Sequence, residues 1–133
     1  MASIIKSDKN NLINYIHNEN KNELSKPFEN EIYLFTTYVA GSRYIYDIFD
    51  LVEGLNKGDN LKLLREADNE YDERAILVLD KDNNKLGYIP MHDNEIFTRL
   101  MDAGKYIYAK VKNIIVNGFN DHVSINIDLY LKD

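Results

Sequence analysis

From Glu31 onward, apolar and polar positions alternate in short runs, whereas the stretch before it follows a helical spacing. Between Asp8 and Asn20, residues Leu12, Ile13 and Ile16 fall on one side of a helix that Asp8 can cap. The stretch Asn18–Asn30 is polar, and Pro27 interrupts any continuation, so it reads as a linker. The spacing thus predicts an N-terminal helix and polar linker over residues 1–30 and a β domain over residues 31–133.

Within that domain, Ile32–Val39 is β-branched and aromatic, a good strand. Arg43–Phe49 sets Tyr44, Tyr46 and Ile48 against Ile45, Asp47 and Phe49, which predicts a second strand after a turn at Gly41. Leu61–Arg65, Ala75–Leu79 and Lys85–Ile89 are three more, the last two joined by a tight Asp82-Asn83-Asn84 turn. Behind Pro90, Asp93 or Asn94 can cap a helix whose Ile96, Phe97, Leu100 and Met101 form one apolar stripe, ended at Gly104. Two strands close the chain. In the first, Ile107, Ala109 and Val111 alternate with Tyr106, Tyr108 and Lys110; in the second, Val123, Ile125, Ile127 and Leu129 alternate with Ser124, Asn126, Asp128 and Tyr130. A period of two means one buried and one wet face, the antiparallel habit. About seven strands with one late helix predict a mainly β fold, a small antiparallel barrel, closed or partly closed.

Composition narrows the function. The 133 residues suffice for a core without staples, and 44% hydrophobic with 29% charged residues is ordinary globular stock. The lack of cysteine excludes disulfides, Fe–S clusters and thiolate zinc sites, and suits a reducing cytoplasm, the expected location. No apolar run approaches membrane-spanning length, and Met1-Ala2-Ser3-Ile4-Ile5-Lys6 lacks the apolar core of a leader, so no membrane partner is expected. A net charge of −6 argues against a protein that coats DNA by neutralising phosphates. It argues less against a small site for one or two nucleotides, where local charge decides, and it adds weight to a protein partner.

Catalysis has little support. His17, His92 and His122 are scattered without metal-site spacing, no serine sits in a strand–elbow–helix setting, and there is no phosphate-binding glycine loop. Glu66 with Asp68, and Asp80 with Asp82, could hold a hard cation such as magnesium and serve a nuclease. These carboxylates sit among turn residues, where solvation accounts for them. No enzyme activity, catalytic residue, cofactor or metal is expected.

Binding chemistry is richer. Arg43 beside Tyr44 offers a planar donor that fits a phosphate and a ring that stacks on a base without reading it. Tyr71 with Asp72 adds a second ring and a carboxylate, which repels a phosphate but accepts a hydrogen bond from a sugar hydroxyl. Together they suit a free hydroxyl end better than continuous backbone. The competing readings are an internal ion pair for Arg43 and Asp72 and core-edge packing for each tyrosine. Arg65 can tie Asp68 or Asp72 in place, Asn69 can cap the backbone of the same turn, and Gly87 allows a bend or a close backbone contact.

Four ordered blocks carry a family resemblance: Val39-Ala40-Gly41-Ser42-Arg43-Tyr44, Leu63-Leu64-Arg65-Glu66-Ala67-Asp68-Asn69-Glu70-Tyr71-Asp72, Ala75-Ile76-Leu77-Val78 and Gly87-Tyr88-Ile89-Pro90. From about Phe35 to Leu131 the chain resembles the HIRAN domain, a module of some SWI2/SNF2-type DNA-translocating helicases and of stand-alone bacterial proteins. The resemblance implies an OB-like β-barrel with helical additions that recognises the 3′-hydroxyl end of single-stranded DNA, in DNA repair or processing, with a helicase or nuclease as protein partner. It places Arg43 and Tyr44 against the terminal nucleotides, Tyr71 on the terminal base, Asp72 on the 3′-hydroxyl and Tyr88 near the same groove. A further aromatic from the last strands has two candidates here, Phe119 and His122. Ala67 and Glu70 stand where the family turn often carries prolines, which makes this turn more acidic. The alternative is a protein-interaction module on the same barrel that has lost DNA binding.

Overall fold

The structure, a computed structural model, describes residues 30–117 and 122–133. The expected N-terminal helix and most of the linker lie outside them, as do Gly118 and Phe119. Six strands form one antiparallel sheet: β1 (Glu31–Tyr38), β2 (Asn60–Glu66), β3 (Ala75–Leu79), β4 (Lys85–Tyr88), β5 (Tyr106–Asn117) and β6 (His122–Lys132), in the order β1-β6-β5-β2-β3-β4. Among the described residues two helices accompany them, α1 (Ile48–Glu53) and α2 (Asn94–Asp102), with a 3-10 turn at Ser42–Tyr44.

The strong alternation of the last two strands is realised as the longest ladder, running from Tyr106 opposite Lys132 to Asn117 opposite His122. Its inward side chains Ile107, Ala109, Val111, Val123, Ile125, Ile127 and Leu129 are buried, and all but Ile107 join Ile76 and Val78 of β3 and Leu86 of β4 in one core cluster. β3 is buried along most of its length, which fits its unbroken apolar run.

The sheet curls but does not close. Its two outer strands meet only where the chain leaving β1 forms an isolated bridge, with Ala40 N–H donating to the Tyr88 carbonyl at 2.7 Å and Tyr88 N–H to the Ala40 carbonyl at 2.9 Å. Gly87 makes this approach possible. Its φ is +147°, and a β-carbon there would lie 2.6 Å from Val39 Cγ1 and closer still to the Ala40 carbonyl oxygen. The architecture is thus mainly β and consistent with an OB-like fold, as an incompletely closed sheet.

The expected strand over Arg43–Phe49 is corrected. After Gly41, at φ +81°, the chain makes the 3-10 turn and then α1, which buries Ile48 and Val52. The spacing Ile45, Ile48, Val52 is helical, and it outweighs the alternation of Tyr44 and Tyr46, both of which face solvent. Ser42, buried, anchors the turn by donating its hydroxyl to the Leu86 carbonyl at 2.8 Å. Seven expected strands are therefore six. The expected stripe on α2 also changes: Phe97 is buried and Leu100 and Met101 pack on the core, but Ile96 is 62% exposed and Thr98 and Asn94 take the inner positions. Gly104, at φ +91°, lies just past the helix end as expected.

Candidate functional site

The polar turn between β2 and β3 is organised by one side chain. Asn69 Oδ1 accepts both the Tyr71 N–H at 2.8 Å and the Asp72 N–H at 3.0 Å, the backbone-capping role its position suggested. Asn69 Nδ2 in turn donates to Glu66 Oε1 at 3.1 Å, and the Tyr88 hydroxyl donates to the same oxygen at 2.8 Å. Glu66 therefore links the turn to β4. Tyr71, with its backbone held, projects its ring into solvent at 89% exposure, which excludes core-edge packing for this residue.

Asp72 has no guanidinium on it. One oxygen accepts the Arg74 N–H at 2.9 Å, and the other accepts Asn94 Nδ2 at 2.8 Å. The Arg74 amide above all, and then the Asn94 side chain, hold its carboxyl below the ordinary range. Asn94 is 1% exposed, and its Oδ1 is buried with no hydrogen-bond partner. The amide thus faces Asp72 with its NH2 end, leaving its own oxygen uncompensated, so Asp72 is positioned from α2 as well as from its own turn.

These groups converge. Asn69, Tyr71, Asp72, Lys85, Tyr88 and Met91, with the Ala40–Gly41 backbone, line an open cleft of about 400 Å³. Lys85 Nζ lies over the Tyr88 ring, 4.7 Å from its centroid, and brings a positive charge to a wall that is otherwise acidic or neutral. Arg43 and Tyr44 are not among the residues that line this cleft; they lie in the 3-10 turn, two and three residues past Gly41, both exposed, with the Arg43 guanidinium carbon 5.6 Å from the Tyr44 ring centroid.

The family model of the HIRAN domain matches residues 32–132. The chain belongs to the HIRAN domain family. Among solved structures, this HIRAN domain is similar to a protein from Lactobacillus plantarum, with 31% identity and a TM-score of 0.68 over 77% of this chain and 95% of that one. It also resembles the crystal structure of the HIRAN domain of human HLTF, at 20% identity and a TM-score of 0.54 over 77% of this chain and 81% of that one, a likeness of fold. None of the curated proteins matches the chain.

Two of the supporting roles expected from sequence need revision in this HIRAN domain. Arg65 does not hold Asp68 or Asp72. It pairs with Asp102 at the end of α2, Nε to Oδ1 at 2.9 Å, and donates to the Ala75 carbonyl at 3.0 Å, so it fastens α2 to the sheet. Asp68 is exposed and makes none of the hydrogen bonds that shape the turn. The acidic pairs do not converge either, and no group of three metal-ligating side chains occurs among the described residues. Asp80 instead shapes the β3–β4 turn, accepting the Asp82 N–H at 2.9 Å and the Asn84 N–H at 2.8 Å. His122 is exposed at the start of β6 and outside the cleft lining. Nothing in the sequence marks Lys85, Met91 or Asn94 as belonging to this site. Lys85 begins a strand whose ring neighbour lies three residues on, and Asn94 looked like a helix cap.

The Glu66 carboxyl, like that of Asp72, is held below the ordinary carboxylate range, first by Asn69 and then by the Tyr88 hydroxyl. A carboxyl whose folded-state pKa is depressed adds stability that is full above its unfolded value, about 4, and is lost as pH falls through the folded value. The urea midpoint of this domain is therefore expected to hold near neutrality and to drop progressively below about pH 4. In Glu66→Gln and Asp72→Asn proteins that acid slope becomes shallower. An unchanged slope in both would show that these hydrogen bonds do not set the acid limit.

Proposed function

We propose that this HIRAN domain is a non-enzymatic module that binds the 3′-hydroxyl end of single-stranded DNA in the cleft between the β2–β3 turn and β4. The convergence of Tyr71, Asp72, Lys85 and Tyr88 on one open cleft carries the reading. The exposed Tyr71 ring is a stacking platform for the last base. Asp72, ionised and fixed by Arg74 and Asn94, keeps lone pairs free to accept the hydrogen of a terminal hydroxyl. Lys85 and Arg43 offset the phosphates that flank it, and Tyr44 stacks further along the strand. Tyr88 closes the inner wall. Such a site acts in DNA repair or end processing, where free 3′ ends are the substrate to be located.

A 3′-phosphate would bring two negative charges against Asp72 and remove the donor that Asp72 accepts from. By fluorescence anisotropy, a short single strand with a free 3′-hydroxyl should bind about 10–100-fold more tightly than the same strand ending in a 3′-phosphate, the weight of one hydrogen bond to a charged group. Equal affinity for the two strands would refute end recognition.

A further inference from the structure

A second aromatic surface lies on the outer face of the sheet and shares no lining residue with the Tyr71 cleft. In one register row, Tyr33 of β1 stands opposite Tyr130 of β6, which stands opposite Tyr108 of β5. Their rings touch in series: Tyr33 to Tyr130 at 6.0 Å between centroids, Tyr130 to Tyr108 at 5.8 Å and near-parallel, and Tyr108 to Tyr106 at 5.6 Å. Alternation marked this face as wet, yet Tyr108 is only 5% exposed, because its neighbours and Glu31 cover it. The ends of the row remain open, with Tyr33 55% and Tyr106 61% exposed.

Cations border the row. Lys110 Nζ lies 4.9 Å from the Tyr130 ring centroid. Lys62, Lys81 and Lys132 line a depression of about 270 Å³ beside Tyr106 and Tyr108. The carboxylates beside the row are engaged from within it: Glu31 accepts the Tyr108 hydroxyl and Lys110 Nζ, and Asp128 accepts the Thr36 hydroxyl, while Asp80 and Asp82, on either side of Lys81, line a neighbouring depression. In a molecule of net charge −6, a depression lined by three lysines and one carboxylate, Glu31, is a local inversion of sign.

We propose that this tyrosine and lysine face is a second binding surface, for the interior of a single-stranded nucleic acid. Stackable rings bordered by ammonium groups suit bases and phosphates together, and neither needs a strand end. An aliphatic protein partner would find little to bury, since the row is phenolic rings with cationic margins. The surface stands whether or not the Tyr71 cleft reads 3′ ends.

The test is anisotropy binding of a fluorescent oligo-dT strand blocked by a 3′-phosphate, so that no terminal hydroxyl is offered to Asp72. The wild-type protein should bind it at low salt. The double variant Tyr33→Ser/Tyr106→Ser, which removes only exposed rings, should weaken binding by about tenfold per ring. Lys62→Ala/Lys132→Ala should flatten the dependence of log affinity on log salt by about 1.4, two phosphate contacts on a single strand. A Lys57→Ala protein, which loses an exposed lysine that lines neither the row nor the cleft, should bind the blocked strand as the wild type does. Absence of wild-type binding, or binding that both face variants retain, would overturn the proposal. A concentration-dependent rise in mass that Tyr33→Ser/Tyr106→Ser abolishes, with no affinity for the strand, would assign the face to self-association and overturn it equally.

Discussion

Replacing Gly87 by alanine is expected to cost about 3–4 kcal/mol of stability, the combined weight of a strained backbone and an overpacked contact. The added β-carbon would enter the space of the Ala40 carbonyl oxygen and approach Val39 Cγ1 to 2.6 Å, so one of the two backbones must retreat. Either movement breaks the bridge that joins the two outer strands. For a domain of this size such a loss lowers the melting temperature by at least about 12 °C. Gly41→Ala is the control, since Gly41 also has a positive φ but a β-carbon there meets nothing within 4 Å. It should cost only about 1–2 kcal/mol, the price of the left-handed conformation alone. Equal losses in the two variants, measured by thermal and urea unfolding, would mean that the close approach of Gly87 does not matter.

The second large effect concerns binding. Tyr71→Ala/Asp72→Ala should lose the preference for a free 3′-hydroxyl entirely and lower affinity for that strand by about 100-fold or more. One stacked ring contributes roughly 1–3 kcal/mol and one hydrogen bond to a carboxylate about 1.5–3 kcal/mol. The Tyr71 ring is solvent-exposed, and the turn is shaped through Asn69 and backbone amides, so the variant should keep its β-sheet circular dichroism. It does surrender the Asp72 contacts to Arg74 and Asn94, so a modest fall in melting temperature is part of the expectation. A folded variant that still prefers the free end would move the site away from this cleft.

Local patterning made most of the sheet readable. β6 alternates along its length and β5 does so in sequence as far as Val111, where the register shifts; β3 is an unbroken apolar run, and the Asp82-Asn83-Asn84 turn carries its own signal, with Asn83 at φ 66°. The segment Arg43–Phe49 misled because two periods coexist in it, and burial of Ile45, Ile48 and Val52 settles the choice only once the sheet exists to receive them. The turn carrying Tyr71 and Asp72 could be read, Asn69 included, because its hydrogen bonds span two or three residues. What could not be read is long-range pairing. Arg65 finds Asp102 across 37 positions and Asn94 finds Asp72 across 22, and each had nearer candidates in the chain. Burial of Tyr108 likewise depends on three strands meeting in one register.

Tyr88 is clasp and wall at once: its backbone holds Ala40 across the gap in the sheet, its hydroxyl reaches Glu66, and its ring faces the cleft. Tyr71, on the opposite wall, has an exposed ring and owes its place to backbone amides alone. The two sides of the cleft therefore differ in how freely they can drift over generations. Folding constrains the inner wall, whereas the outer wall can change its side chain and leave the sheet untouched, so members of such a lineage can acquire new ligands from one side only.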